Sequence, residues 1–236
     1  MPVKSPTALL FDVFGTVVDW RGSIIREARL AGRGRGISAD WETFADAWRA
    51  GYRPAMDRVR RAELPWVKLD TLHRMILDEL LERFSLRLSE REKRDLNAAW
   101  HRLKPWPDAV RGLTRLKRRY CIGTLSNGNV GLLVDMARYA GLPWDCVLSA
   151  ELFKRYKPDP EVYRGAVELL GLAPREVMLV AAHKDDLAAA RRCGLKTAFV
   201  RRPLEHGPAA KLDLADDPRC TVNADDFIDL ARRLGA

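Results

Sequence analysis

The sequence predicts an α/β fold, a mainly parallel sheet carrying a helical insertion, on three observations: short apolar runs recur along the chain, amphipathic segments separate them, and one long interval lacks such runs. The runs are Ala8–Val13, Cys121–Leu125, Val147–Ser149, Val177–Ala182, Thr197–Val200 and Cys220–Val222. Each has strand length, and strands alternating with helices form βαβ units, hence a Rossmann-like core. Helices are expected at Ala109–Lys117, Val130–Ala140, Pro160–Leu170 and Leu187–Cys193, with Gly141, Gly171 and Gly194 as C-terminal stops. Between the first run and Ala109 lie about 85 residues with helical periodicity alone, in Trp41–Val59, Leu69–Phe84 and Ser89–Leu103. A parallel crossover needs only about a dozen residues. The interval therefore predicts a helical cap over residues 20–104, inserted into a discontinuous core of 1–19 and 105–236.

The 236 residues carry 41 Lys+Arg against 32 Asp+Glu, a net charge of +9, and 47% are hydrophobic, enough to bury a substantial core. Residues 20–104 hold 19 of the basic and 13 of the acidic residues, so the surplus is concentrated in the insertion and would draw small anions toward a cleft beneath it. No apolar stretch reaches the ~18 residues of a membrane span, and Met1-Pro2-Val3-Lys4 runs into the first strand without a signal-peptide apolar segment. A cytoplasmic protein without membrane contact is expected. Cys121, Cys146, Cys193 and Cys220 are widely spaced, without C-x-x-C, and are read as reduced, mostly buried thiols. Gly32-Arg33-Gly34-Arg35-Gly36 is read as a polar loop between cap helices, since one short copy does not make an RNA-binding tract. With no reading helix, RNA-stacking platform or zinc module in view, nucleic acid is not the expected partner.

The residues that carry chemistry stand at strand ends. Ligands of an open parallel sheet bind outside the carboxyl ends of its strands. The first run closes in Phe11-Asp12-Val13-Phe14-Gly15-Thr16, which puts a carboxylate there, with Gly15 for a tight turn and Thr16 for a hydroxyl. Ser126-Asn127-Gly128 follows the second run, Tyr156-Lys157-Pro158-Asp159-Pro160 the third, and Ala182-His183-Lys184-Asp185-Asp186 the fourth. Taken singly, each is an ordinary strand terminus.

Their order resembles the haloacid dehalogenase-like hydrolase superfamily, and the resemblance covers essentially the whole chain, insertion included. Most members are magnesium-dependent phosphatases with D-x-D on the first strand and a metal-binding carboxylate directly after the fourth. Here Phe14 replaces the second Asp and Ala182 the carboxylate. An alkoxide leaving group needs a proton and a halide does not, while magnesium needs oxygen ligands that alanine lacks. Asp12-Val13-Phe14-Gly15-Thr16 is similar instead to the D-x-Tyr/Phe-G-T pattern of the L-2-haloacid dehalogenase branch, and Gly32 to Ser38, Trp48-Arg49 and Val162-Tyr163 agree with it.

The resemblance implies hydrolysis of short (S)-2-haloacids, such as haloacetates and 2-halopropionates, to 2-hydroxy acids through an ester on Asp12, with inversion and without metal or cofactor. A magnesium-dependent phosphatase is the alternative. Lys157 is expected to neutralise Asp12 or the substrate carboxylate, and Thr16 and Ser126 to hold either by hydrogen bonds. Arg49 and Asn127 are expected to receive the halide against Phe14, with Arg53 a weaker candidate than Arg49, and Tyr163 to support the lysine. The branch has S-S-N-x-x-D after the fourth strand, whereas this chain has Ala181, Ala182 and His183 and keeps only Asp186. We therefore expect His183, oriented by Asp186, to activate the hydrolytic water, and the altered pocket raises fluoroacetate as a substrate. The family's assembly habit allows a homodimer.

Overall fold

A computed structural model describes residues 5–33 and 36–236, so the readings placed on Met1–Lys4 and on Gly34 and Arg35 lie outside the described residues. The six apolar runs form one parallel sheet: β1 (Ala8–Phe11), β4 (Cys121–Ser126), β5 (Cys146–Ser149), β6 (Val177–Ala181), β7 (Lys196–Val200) and β8 (Val222–Ala224). Their spatial order is β5-β4-β1-β6-β7-β8, which sets β1 between β4 and β6 with Leu9 facing Ile122 on one side and Met178 on the other. All four β1 residues are buried, as an apolar strand inside a parallel sheet must be. The chain steps outward from β1 to β4 and β5, then returns to the other side for β6. Such a reversal of strand order opens a crevice at the carboxyl ends, next to β1.

Helices α5 (Ala109–Lys117), α6 (Val130–Ala140) and α7 (Pro160–Leu169) fall where the amphipathic pattern puts them, and α8 (Lys184–Arg192) starts three residues before the expected Leu187, because its first turn is the polar Lys184-Asp185-Asp186. Two further details differ. β8 lies two residues later than the apolar pattern suggests, because Thr221 N–H first closes on Thr197 O and the polar Asn223 inside the strand serves the preceding loop through Asp217 N–H. Beyond it runs α9 (Phe227–Arg233), begun by the Asp226 carboxylate accepting the Asp229 N–H at 2.7 Å. The four cysteines are free, as expected, but Cys121 is exposed and the others half-buried: Cys121 and Cys146 open strands, Cys193 follows α8 and Cys220 lies in the turn before β8.

The helical interval enters and leaves through a pair of two-residue antiparallel strands, β2 (Val18–Asp19) and β3 (Lys104–Pro105). Between them lie α1 (Trp20–Arg33), α2 (Trp41–Arg60), α3 (Leu69–Arg83), α4 (Glu90–Asn97) and a 3-10 turn at Ala98–His101. Asp40 caps α2 through Thr43 N–H, and Ser89 with Glu92 forms a capping box on α4. Trp48 and Trp100 are fully buried where α2 meets the 3-10 turn, their rings 5.5 Å apart, and the Trp48 indole N–H donates to His73 O. Among the described residues no helix is long and apolar enough to cross a membrane.

One buried ion pair ties the first loop to the rest of the sheet. Arg202, 6% exposed, donates two N–H groups to Asp108 at 2.8 and 2.9 Å and a third to Thr16 O at 2.7 Å. Asp108 also accepts the Phe227 N–H at 2.8 Å. Asp108→Ala would leave the guanidinium buried without its counter-ion, so it should lower unfolding free energy by about 3 kcal/mol. A drop in the urea midpoint with the slope unchanged is the expected readout.

Candidate active site

Asp12 is the first residue beyond β1, and its N–H still completes the ladder by donating to Val180 O. The chain then turns sharply at Gly15, whose φ of +82° favours glycine, and Gly15 O accepts the Trp106 indole N–H. The turn brings Thr16 back beneath the carboxylate. Its hydroxyl donates to Asp12 Oδ2 at 2.8 Å and accepts the Ala182 N–H at 3.0 Å. Thr16 thus fixes the carboxylate and does not line the cavity. Ser126 differs from expectation: it is fully buried at the end of β4, and its Oγ accepts the Gly128 N–H at 3.1 Å to close the turn after that strand.

Lys157 reaches Asp12 from the segment before α7. Its Nζ lies 3.0 Å from Asp12 Oδ1 and 2.5 Å from Asp186 Oδ2, with the ammonium side chain 7% exposed. Asn127 holds this lysine by its backbone: Oδ1 accepts the Lys157 N–H at 2.7 Å and Nδ2 donates to Lys157 O at 3.4 Å. Tyr163, on α7, donates its hydroxyl to Asp186 Oδ1. It supports the lysine through that carboxylate.

His183 follows β6. Nδ1 stands 3.0 Å from Asp12 Oδ2, while Nε2 meets both oxygens of Glu205 at 2.9 and 3.1 Å. The orienting carboxylate is therefore Glu205 rather than Asp186, because Asp186, in the first turn of α8, is taken up by Lys157 and Tyr163. Glu205 comes from the segment after β7, is 4% exposed, and also accepts the Trp20 indole N–H at 3.3 Å. A Cβ on residue 15 would lie 2.0 Å from Glu205 Oε1, so the glycine is needed for space as well as for its turn.

These groups open onto a cavity of about 540 Å³ lined also by Phe14, Trp20, Arg49, Tyr52, Arg53 and Asp185. Arg49 lies on α2 with its guanidinium 4.2 Å from the Tyr52 ring centre, and its Nη1 is buried without a hydrogen-bond partner among the described residues. Arg53, one turn further on, is 72% exposed and stands 3.8 Å from Asp185 at the mouth.

Burial works against ionising Asp12, but the Lys157 charge, then the hydrogen bond and charge of His183, then the Thr16 hydroxyl outweigh it and hold the carboxyl far below its ordinary 3.8. Burial likewise opposes the Lys157 charge, and the Asp12 and Asp186 carboxylates reverse it, pushing the ammonium up. Asp186 is pushed up, chiefly by burial with the Asp12 charge added, against the pull of Lys157. For His183, burial is overcome by the hydrogen bonds to Asp12 and Glu205 and by their charges, which raise it from 6.5 to about 10. The resting site thus gathers Asp12, Asp186 and Glu205 around Lys157 and imidazolium His183, while Arg49 lines the same cavity outside any ion pair with them.

A divalent cation does not fit this set. Asp12 Oδ1 faces an ammonium and Oδ2 faces a hydroxyl and an imidazolium, Asp186 is bound on both oxygens, and Ala182 offers no ligand.

The arrangement is that of an α/β enzyme with a buried, ionised carboxylate at the end of its first strand. The model of the haloacid dehalogenase-like hydrolases matches residues 6–194. The (S)-2-haloacid dehalogenase 4A of Burkholderia cepacia is 32% identical, over 85% of this chain and 85% of that protein. The (S)-2-haloacid dehalogenase 1 of Pseudomonas sp. (strain CBS-3) is 30% identical, over 83% and 84%. Among solved structures, a defluorinating L-2-haloacid dehalogenase superposes with a TM-score of 0.95 at 46% identity, covering 98% of this chain and 96% of that one. An L-2-haloacid dehalogenase also superposes at 0.95, with 51% identity over 98% and 99%. The chain belongs to the haloacid dehalogenase-like hydrolases.

The His183 partners fix a pH dependence. Its folded value is raised, so the stabilisation is complete below its ordinary 6.5 and is lost as pH climbs toward about 10. Asp12 is depressed, so its share persists above 3.8 and disappears only in strong acid. The melting-temperature gap between wild type and His183→Gln should be widest near about pH 6 and close toward about pH 10. A gap that widens with pH would contradict the assignment.

Proposed function

We propose that this chain hydrolyses the carbon–halogen bond of short (S)-2-haloacids, the helical insertion serving as a cap over the site. The single observation that carries the reading is Asp12: an ionised carboxylate at a strand end, held by Lys157, His183 and Thr16, with Phe14 where a phosphatase keeps its proton donor. An Asp12 oxygen attacks C2 opposite the halogen, the C–X bond breaks, and the halide leaves with the bonding pair, inverting the carbon. Arg49 and Asn127 meet the charge that develops on the halide.

Esterification removes the negative charge facing His183 Nδ1, which lowers the affinity of His183 for its proton. The proton is lost to solvent, while Glu205 keeps the Nε2–H and leaves Nδ1 free as a base. Water gives a proton to Nδ1 and adds to the Asp12 carbonyl carbon. The 2-hydroxy acid then departs with that proton, and Asp12, left as the acid, returns its own to His183. The new stereocentre is untouched in this second step.

His183→Asn should form the ester and hydrolyse it about 10²–10⁴ times more slowly, since a lost general base has that effect. Intact-protein mass after 2-chloropropionate should show the added acid, and Asp12→Asn should show none. An unmodified His183→Asn protein would end the base assignment. Wild-type turnover should persist in chelator, which separates this reading from a magnesium-dependent phosphatase. The defluorinating relative extends the proposed scope to fluoroacetate, tested by fluoride release.

A further inference from the structure

Arg49 is held in an unusual way for a cation beside a cluster of carboxylates. Its guanidinium carbon lies 4.2 Å from the Tyr52 ring centre and 5.6 Å from that of Trp20, and Nη1 is buried without an acceptor among the described residues. We propose that Tyr52 and Trp20 are positioning residues, which hold Arg49 by their ring faces and so keep its guanidinium out of a carboxylate pair and available to the departing halide. The inference rests on the dehalogenation reading and assigns within it two side chains that the sequence motifs do not contain.

A guanidinium is weakly hydrated and stacks readily on aromatic faces, and the attraction acts through the plane of the ion. The N–H groups project from the edges of that plane. A carboxylate partner would occupy those edges and neutralise the charge, whereas an aromatic face does neither. The surroundings keep the Tyr52 ring and its neighbour uncharged: burial above all pushes the Tyr52 phenol up, and burial above all pushes His73, 5.9 Å from Tyr52, down to about 3.

A donor that acts on the leaving group matters more when that group is the stronger hydrogen-bond acceptor, because the interaction strengthens as charge develops. Chloride is more basic than bromide. Loss of the ring face should therefore harm chloroacetate more than bromoacetate. A clamp that serves substrate binding alone would harm both equally.

The experiment is kcat/KM for chloroacetate and bromoacetate in wild type, Tyr52→Phe and Tyr52→Leu. Tyr52→Phe keeps the face and should stay within about threefold of wild type on both acids. Tyr52→Leu should lose roughly thirtyfold on chloroacetate and roughly tenfold or less on bromoacetate. Melting curves report folding, and Tyr52→Met supplies the same comparison if Tyr52→Leu does not fold. Equal losses on the two acids, or a loss in Tyr52→Phe as large as in Tyr52→Leu, overturn the proposal. A wild type that releases neither halide tells instead against the dehalogenation reading.

Discussion

Placing the Asp12 carboxylate at the buried end of β1 costs several kcal/mol unless cations share its surroundings, and the rest of the site follows from that constraint. Lys157 answers most of it, but its ammonium is divided between Asp12 and Asp186. The second carboxylate needs compensation in turn, which Tyr163 supplies on its far oxygen. His183 adds the second positive charge beside Asp12 and brings Glu205 with it. Removing one member leaves another buried and unpaired, so the cluster acts as a unit in stability as well as in chemistry.

The fold supplies the convergence. A parallel sheet gathers all its strand ends at one edge, so residues as distant in sequence as Asp12, Asn127, Lys157, His183 and Glu205 meet around one carboxylate. Their backbones are fastened independently of their charges. Asn127 holds Lys157 by its peptide groups, and Arg202 with Trp106 holds the Gly15–Thr16 turn. The helical insertion adds what the sheet edge lacks, a cation with unused donors, on the aromatic face of α2.

Much of this was legible in the residues. The apolar runs mark the sheet, because strands buried on both faces leave a continuous signal, and Asp12, Asn127, Lys157, His183 and Asp186 lie together at its edge. Other features carry no such signal. β2 and β3 are two residues each, too short for any period, and α9 is a short helix whose cap, Asp226, sits in a polar stretch. Glu205 lies five residues beyond β7 in an irregular segment without a motif. Applying the strand-end rule to the fifth run as well as the first four would have pointed to that segment, but only the packed structure shows Glu205 rather than Asp186 facing His183. The partners of Ser126 were hidden for a similar reason, since a hydroxyl after a strand serves a turn as readily as a ligand.

The ribbon formed by β2 and β3 has a further consequence. It brings the two ends of the insertion side by side, at Asp19 and Lys104, so the sheet sees this long excursion as a tight closure whatever its length. Closing a longer loop adds only logarithmically to the entropic cost once its ends are fixed. The ribbon is therefore a grafting point. Helices can be exchanged, lengthened or recomposed beyond it while Asp12 and its counter-ions keep their places, and divergence in what the cavity admits can proceed in one part of the molecule without rebuilding the charged cluster in the other.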